Sequence, residues 1–145
     1  MQYFEDIELG QVRVGGSYEL TEFEIVEFAT KWDPFPFHID KEAAEQTIFG
    51  GLVASGVHLS CILCRCKHDI ELPAVVALLR ITESRNPNPG RPGDVYSFES
   101  RVIGKKAPRT WPSDGIVVYQ EYLRNQNEIV VLQHKITLRI KKRDK

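Results

Sequence analysis

The sequence predicts an α+β domain in which an antiparallel sheet wraps around one central helix, and two observations support this fold class. Residues 55–66 are apolar around most of a helical circumference, as expected of a buried helix. Beyond Pro73, four runs rich in β-forming residues follow one another, at 75–82, 95–102, 116–123 and 129–140. One apolar helix followed by a long sheet indicates helices packed on one face of that sheet.

Alternation is clearest in the last of these runs. One face of the strand carries mainly polar side chains, and the opposite face carries Val130, Leu132, His134, Ile136, Leu138 and Ile140. Between the last two runs, Asn125-Gln126-Asn127 has the composition of a hairpin turn. The last two strands are therefore predicted to be antiparallel neighbours.

The N-terminal part of the chain begins with turn and helix signals. Gly15-Gly16 predicts a turn that leads into a short strand over 17–20. Thr21 and Glu24 have the spacing of a capping box, so a helix should begin there and continue to near Trp32.

A proline-rich segment follows this first helix. Pro34 and Pro36 disfavour helix for the residues before them, so 33–38 is predicted to be a rigid, extended loop rich in aromatic residues. Asp40 is a candidate cap for a short helix over 41–44, and Gly50-Gly51 should break the chain before the central helix.

Length and composition predict one domain, 1–145, with a core of its own. The chain is 42% hydrophobic and 27% charged, and its formal net charge of -1 gives no field that would attract polyanions. We therefore expect no nucleic-acid partner. The N-terminus lacks a basic segment followed by an apolar stretch, and no apolar run is long enough to span a membrane. We expect a cytoplasmic protein without membrane association.

Cys61, Cys64 and Cys66 lie in one short segment, which favours reduced thiols over a disulfide framework. With His58 and His68 they have the residue types of a metal site. On a single helix, however, His58, Cys61 and Cys64 form one stripe, which is too spread out to surround one tetrahedral ion. We predict no metal and interpret the thiols as core filling.

The strongest chemical signal lies between Asp33 and Gly56. It comprises Asp33-Pro34-Phe35-Pro36-Phe37-His38, then Asp40, then Phe49-Gly50-Gly51-Leu52-Val53-Ala54-Ser55-Gly56. This segment resembles the signature of MaoC-like proteins and (R)-specific enoyl-CoA hydratases, in which Asp, a variable residue, Asn-Pro, an apolar residue and His precede an acidic residue and an alanine.

The chain keeps the Asp, Pro, apolar and His positions of this signature, and Arg91-Pro92-Gly93-Asp94 resembles the family's turn before a strand. It departs from the pattern at two positions. Phe35 stands where the family usually has Asn, which places hydratase activity in question, and Ser55 stands where the family often has His. Serine is itself a good helix cap, so the second departure is milder.

The resemblance implies a hot-dog fold, an acyl-thioester substrate carried by coenzyme A or acyl carrier protein, and no other cofactor. It also implies a homodimer whose two sheets join edge to edge, with the acyl tunnel near the interface. The implied reaction interconverts a trans-2-enoyl thioester and an (R)-3-hydroxyacyl thioester.

The residues suit this chemistry. Hydration needs one group that takes a proton from water, one that delivers a proton to the α-carbon, and donors for the thioester oxygen. Asp33 and His38 are the candidate acid/base pair, and the backbone N–H of Gly56 or Val57 is the candidate oxygen donor. The candidate substrate-binding residues are Phe35, Phe37, Ser55, Val57 and Cys64.

Simpler interpretations stay open at this point. An Asp before Pro is commonly a turn or capping residue, a single loop His is commonly structural, and the glycines serve tight turns equally well. Lys105, Lys106 and Arg109 are candidate contacts for coenzyme A phosphates, but a solvated loop is the favoured interpretation, as is a solvated basic tail at 141–145. Two other functions compete with hydration: acyl-CoA thioester hydrolysis, and acyl-thioester binding without catalysis.

Overall fold

The computed structural model describes residues 1–144, so that Lys145, at the end of the basic tail, lies outside them. After a short 3₁₀ turn, Phe4–Asp6, the elements are β1 (Val12–Glu19), α1 (Glu22–Trp32), α2 (Pro36–Ile39), α3 (Lys41–Glu45), α4 (Gly56–Lys67), β2 (Val75–Arg85), β3 (Val95–Lys106), β4 (Asp114–Arg124) and β5 (Val130–Lys141).

All five strands form one sheet in the order β1-β3-β4-β5-β2, and every neighbouring pair is antiparallel. The central helix α4 packs against β1, β3, β4 and β5. The predicted α+β class, with an antiparallel sheet around one helix, is confirmed. Most of the core between helix and sheet is apolar, and its buried members are Leu20, Ile25, Ala54, Leu59, Ile62, Leu63, Cys66, Tyr96, Phe98, Leu123, Val131 and Leu132.

The four predicted long strands are all present. The first three run slightly further than the apolar pattern, and the fourth is shifted by one residue. On β5 the side chains of Leu132, His134, Ile136, Leu138 and Ile140 are buried, as the alternation predicts. The turn before β5 is also confirmed. There the Asn125 side chain accepts hydrogen bonds from the backbone N–H of Asn127 (2.9 Å) and of Ile129 (3.1 Å).

The first strand differs from the prediction, because β1 begins at Val12 and contains both glycines rather than following them. The pairing with β3 shifts register between Gly15 and Tyr18, so the glycines lie at an irregularity inside the strand. At Gly16, φ is +72°, and a Cβ would lie 2.5 Å from the Cys66 carbonyl oxygen. Glycine is therefore needed where the Cys66 backbone of α4 packs against β1.

The capping box at the start of α1 is confirmed, since the Thr21 side chain accepts from the Glu24 N–H and the Glu24 carboxylate accepts from the Thr21 N–H. Asp40 caps α3 through the Ala43 N–H at 3.1 Å. The prediction of an extended loop over 33–38 is wrong from Pro36 onward. Pro36 occupies the first position of α2, where its missing N–H costs no hydrogen bond and its fixed φ suits a helix.

The central helix is less buried than its composition predicts. Val57 is 59% exposed, and Cys61 and Cys64 are exposed on the same side of α4. These three residues follow helical spacing, so they form one apolar stripe that the single chain leaves uncovered. A hydropathy pattern shows that Val57, Cys61 and Cys64 are apolar, but it does not show whether another part of the chain covers them. The pattern therefore predicted burial on all sides of the helix.

Candidate active site

Asp33 and His38 are brought together by the turn between α1 and α2. Asp33 ends α1, where its backbone N–H still donates to the Ala29 carbonyl at 2.9 Å. His38 lies on the single turn of α2 and is buried. The chain reverses between them, so that Asp33 Oδ2 lies 3.5 Å from His38 Nε2. Both groups face the same small space, as the sequence predicts of one curled loop.

The hydrogen bonding of His38 defines its tautomer. Its Nδ1 lies 2.6 Å from the Val53 carbonyl oxygen, which can only accept, so Nδ1 carries the proton and donates. In the neutral ring Nε2 is then a free acceptor directed toward Asp33. A separation of 3.5 Å between two acceptors is suited to a shared water molecule rather than to a direct hydrogen bond.

Ser55 connects this pair to the start of the central helix. Its hydroxyl donates to Asp33 Oδ2 at 2.6 Å and accepts from the Val57 N–H at 3.3 Å. The Val57 N–H is therefore occupied by the helix cap, whereas no acceptor among residues 1–144 takes the Gly56 N–H. Of the two candidate oxygen donors, Gly56 is the one that remains available at the positive end of α4.

A cavity of about 280 Å³ opens beside His38 and the first turn of α4. Most of its lining is apolar, and its lining residues are His38, Phe49, Val53, Ala54, Gly56, Leu59, Asn86, Pro87, Asn88, Pro89 and Gly90. An apolar cavity with a few convergent polar groups is the usual form of a small-molecule site. The residues predicted to be catalytic thus lie at or beside one cavity.

The predicted aromatic contacts have different placements. The Phe37 ring packs edge-on against the His38 ring at 4.5 Å and also contacts Phe49 at 5.4 Å, so it supports the imidazole. Phe35 stacks on Phe37 at 5.3 Å and is 57% exposed. It does not line the cavity.

Two other predicted substrate contacts lie away from this cavity. The Val57 side chain points to the exposed side of α4, and Cys64 lies about two turns further along that helix. A role for Phe35, Val57 or Cys64 in binding substrate stays a prediction. Lys105, a candidate phosphate contact, instead donates to the Ile7 carbonyl at 2.6 Å.

The histidines and cysteines of the central helix point in different directions. His58 and Cys66 are buried, while Cys61 and Cys64 are exposed. His58 stacks on Phe28 with ring centroids 4.3 Å apart, and burial lowers its pKa. Burial also raises the pKa of the Cys66 thiol to about 11. Residues 1–144 contain no group of three or more His, Cys, Asp or Glu side chains that is arranged to hold a metal ion.

The segment between β2 and β3 is the part of the cavity that the sequence did not predict. Asn86, Pro87, Asn88, Pro89 and Gly90 form one wall, and the Ala54 N–H donates to the Gly90 carbonyl at 2.9 Å. A signal was present, since two asparagines alternate with prolines directly after a strand. Nothing in the local pattern indicates that this segment meets Gly56.

Comparison with known proteins settles the family. Residues 8–121 match the model of the MaoC-like domain. The chain belongs to the MaoC-like domain family. "Protein MaoC" of Klebsiella aerogenes is 31% identical over 121 residues, which span 76% of this chain but only 36% of that protein. This member therefore spans little more than a third of the length of that relative.

Solved structures share the fold of this chain. The crystal structure of the MaoC-like dehydratase from Rhodospirillum rubrum superposes with a TM-score of 0.93 at 31% identity and covers 100% of both chains. The (R)-hydratase PhaJ1 from Pseudomonas aeruginosa superposes with a TM-score of 0.76 at 21% identity, covering 97% of this chain and 86% of that chain. The expected hot-dog fold is confirmed.

Within residues 1–144 the structure contains no helix that is both long enough and apolar enough to cross a membrane.

Proposed function

We propose that this MaoC-like protein hydrates trans-2-enoyl thioesters to (R)-3-hydroxyacyl thioesters and catalyses the reverse dehydration. The observation that carries the proposal is the meeting of three groups beside one cavity, which His38 and Gly56 line. These are the Asp33 carboxylate, the His38 Nε2 lone pair 3.5 Å from it, and the available Gly56 N–H. They supply a base, an acid and an oxygen donor without a metal or redox cofactor.

In the proposed step, Asp33 and His38 hold one water molecule between them. The water oxygen forms a bond to the β-carbon as one of its O–H bonds breaks, and the pair takes that proton. The C=C electrons move toward the thioester oxygen, and a proton from the pair then bonds to the α-carbon. The two residues supply base and acid between them, which balances protons without an external donor.

The start of α4 stabilises the charge that develops in this step. The thioester oxygen gains negative charge, and the Gly56 N–H lies at the positive end of a helix of 12 residues. Because the Ser55 hydroxyl already occupies the Val57 N–H, we assign the oxygen contact to Gly56. Ser55 also donates a hydrogen bond to the Asp33 carboxylate. One side chain therefore positions both the acid/base pair and the start of α4.

We propose that residues 1–145 form a single domain. Its proposed substrate is an acyl thioester of coenzyme A or of acyl carrier protein. We propose cytoplasmic residence, where such thioesters are used, and no cofactor beyond the substrate's own carrier.

A homodimer is the proposed assembly, because β2 is an edge strand with an uncovered apolar surface. Its Val75, Val76, Leu78, Leu79 and Ile81 are between 43% and 54% exposed. Pairing two β2 edges would satisfy unpaired backbone groups and cover these side chains. A Leu78→Lys variant should sediment as a monomer while Val14→Lys, on the opposite edge strand, stays dimeric. A monomeric wild-type protein would contradict the proposal.

The direct test of function is the loss of enoyl-thioester absorbance when the protein meets crotonyl-CoA and longer trans-2-enoyl-CoAs. The wild-type protein should show turnover, and Asp33→Asn should lose it. Asp69→Asn is the matched control, because Asp69 is an exposed carboxylate whose single ion pair within residues 1–144 is with Arg65. Absorbance loss accompanied by release of the free thiol would indicate a thioesterase, and tight binding without either change would indicate a non-catalytic module.

A further inference from the structure

The Asn86 side chain is a polar group of the cavity that has no part in the chemistry described above. It lies at the end of β2, on the wall that faces His38 and Gly56. Its Nδ2 donates to the Val131 carbonyl at 3.1 Å. Because that carbonyl can only accept, the hydrogen bond also fixes where the other end of the carboxamide points.

The carboxamide oxygen points at the first residue of the central helix. A Cβ built on Gly56 would lie 2.8 Å from Asn86 Oδ1, so the oxygen lies directly over this glycine. No donor among residues 1–144 hydrogen-bonds this oxygen. Asn86 Oδ1 is therefore a fixed acceptor without a donor, and it lies beside the Gly56 N–H that we assign to the thioester oxygen. An amide does not titrate near neutral pH, so its use is in binding rather than in proton transfer.

The substrate offers one donor at the corresponding place. When the thioester oxygen lies at the Gly56 N–H, the carrier arm continues from the sulfur through two methylene groups to an amide N–H. This arm is common to coenzyme A and acyl carrier protein. Resting on the proposed function, we propose that Asn86 is a substrate-binding residue whose carboxamide oxygen accepts a hydrogen bond from that first amide N–H of the carrier arm.

This contact would align the thioester with the Gly56 N–H at the position where the reaction needs it. Glycine at position 56 is required for the same reason, since any side chain there would displace the Asn86 oxygen. Recognition through the arm also lets one cavity accept different acyl groups, because the hydrogen bond does not involve the acyl chain.

Asn88 provides a matched control. Its Nδ2 donates to the Val130 carbonyl at 2.9 Å, so it fastens the same segment to β5 in the same way as Asn86 does. The three heavy atoms nearest to a Cβ at Gly56 all belong to Asn86 and none to Asn88. A variant of Asn88 therefore loses the fastening without losing the proposed substrate contact.

The test compares two small crotonyl thioesters. One is the N-acetylcysteamine thioester, which keeps the amide N–H, and the other replaces this N–H by an ester oxygen at unchanged length. The wild-type kcat/KM should favour the amide by about fivefold or more, the usual size of one hydrogen bond. Asn86→Ala should bring the ratio near one, while Asn88→Ala keeps the wild-type ratio.

A ratio measured within one variant does not depend on how much of that variant is folded. A wild-type ratio retained by Asn86→Ala, or no wild-type preference, would overturn the inference. Absent turnover of crotonyl-CoA, not of these short thioesters, would contradict hydration. Should the wild-type protein turn over neither short thioester, calorimetry with the two saturated butyryl analogues decides the inference. Tighter binding of the amide that Asn86→Ala loses and Asn88→Ala keeps would support it, and equal or absent binding would overturn it.

Discussion

A carboxylate and a histidine lie together near each end of α4, and the two pairs differ in how completely the carboxylate is paired. At the N-terminal end, Asp33 lies 3.5 Å from His38 Nε2, and its side chain is 25% exposed. At the C-terminal end, Glu121 lies 2.8 Å from His134 Nε2 and 2.8 Å from Lys67 Nζ, and its side chain is 3% exposed.

The difference shows what separates a reactive pair from a structural one. Glu121 has strong partners on both oxygens, and moving a proton there would break contacts that hold α4 to β4 and β5. Asp33 has one hydroxyl partner and an imidazole that is too far away for a direct hydrogen bond. The N-terminal pair leaves room for a water molecule and opens beside a cavity of about 280 Å³, whereas the cavity that Glu121 and Lys67 line measures only about 20 Å³.

We call Asp33–His38 the open pair and Glu121–His134 the closed pair. The largest expected effect is on turnover at the open pair. His38→Ala should lower kcat by about 100-fold to 10,000-fold, the range typical of a lost acid/base group. The enoyl-thioester absorbance assay measures this loss, and circular dichroism checks the fold. His68→Ala, at an exposed histidine after α4, is the control and should keep full turnover. Full turnover in His38→Ala would make the two pairs equivalent and contradict the comparison.

The closed pair should respond in stability instead. Glu121→Gln leaves the half-buried Lys67 ammonium without its carboxylate, which should lower the free energy of unfolding by about 3 kcal/mol. Urea denaturation measures this change, with Glu99→Gln as the control for a more exposed pair with Arg124. Equal losses of unfolding free energy in Glu121→Gln and Glu99→Gln would contradict the structural role of the closed pair.

An intermediate effect is expected for the residue that bridges the open pair and the helix. Ser55→Ala removes both the hydrogen bond to Asp33 and the cap of α4, so the free energy of unfolding should fall by about 1 kcal/mol. Turnover should fall with it, because Asp33 loses its orientation. Ser60→Ala, which removes a hydroxyl on the same helix, should leave turnover unchanged. A Ser55→Ala protein with wild-type kcat would mean that Asp33 is positioned without Ser55.

The smallest effect concerns a third carboxylate, which has a neutral partner. The Tyr18 hydroxyl donates to Glu24, lowering the pKa of Glu24 below its usual 4.5 and raising the pKa of Tyr18 to about 12. Tyr18→Phe should cost about 1 kcal/mol of unfolding free energy at neutral pH.

This cost has a defined pH dependence. A lowered carboxyl pKa stabilises the fold above pH 4.5, and that stabilisation is lost as the pH falls through the folded pKa. The raised pKa of Tyr18 has its effect at alkaline pH. Its contribution to the free energy of unfolding is lost as the pH rises from 10 toward about 12. Denaturation of both proteins across the pH range should show the difference shrinking at both ends. A constant difference would contradict this account of Glu24.

Local patterns predicted most of the fold and one half of the site. The capping residues Thr21, Asp40 and Ser55 act over three residues or fewer, and the strands follow from alternation. Asp33 and His38 were found because a single short segment carries both. The exposed stripe of α4 and the helical turn at Pro36 were not predicted, since hydropathy does not say which face is covered and proline suits both loops and helix starts.

The other half of the site depends on long-range packing. Asn86 meets Gly56 only because the β2–β3 connection crosses the start of α4, and no spacing within the sequence indicates that meeting. The pairing of Glu121 with His134 was not predicted, although the predicted hairpin leads to it. The two residues are direct partners in the β4–β5 register, which the turn at Asn125 determines.

The most direct test of the account is to measure turnover and stability together in Asp33→Asn and Glu121→Gln, using crotonyl-CoA and urea denaturation on the same preparations. We predict that Asp33→Asn loses turnover while keeping its unfolding midpoint, and that Glu121→Gln loses stability while keeping turnover per folded molecule. Wild-type turnover in Asp33→Asn would contradict the assignment of the open pair as the reactive one.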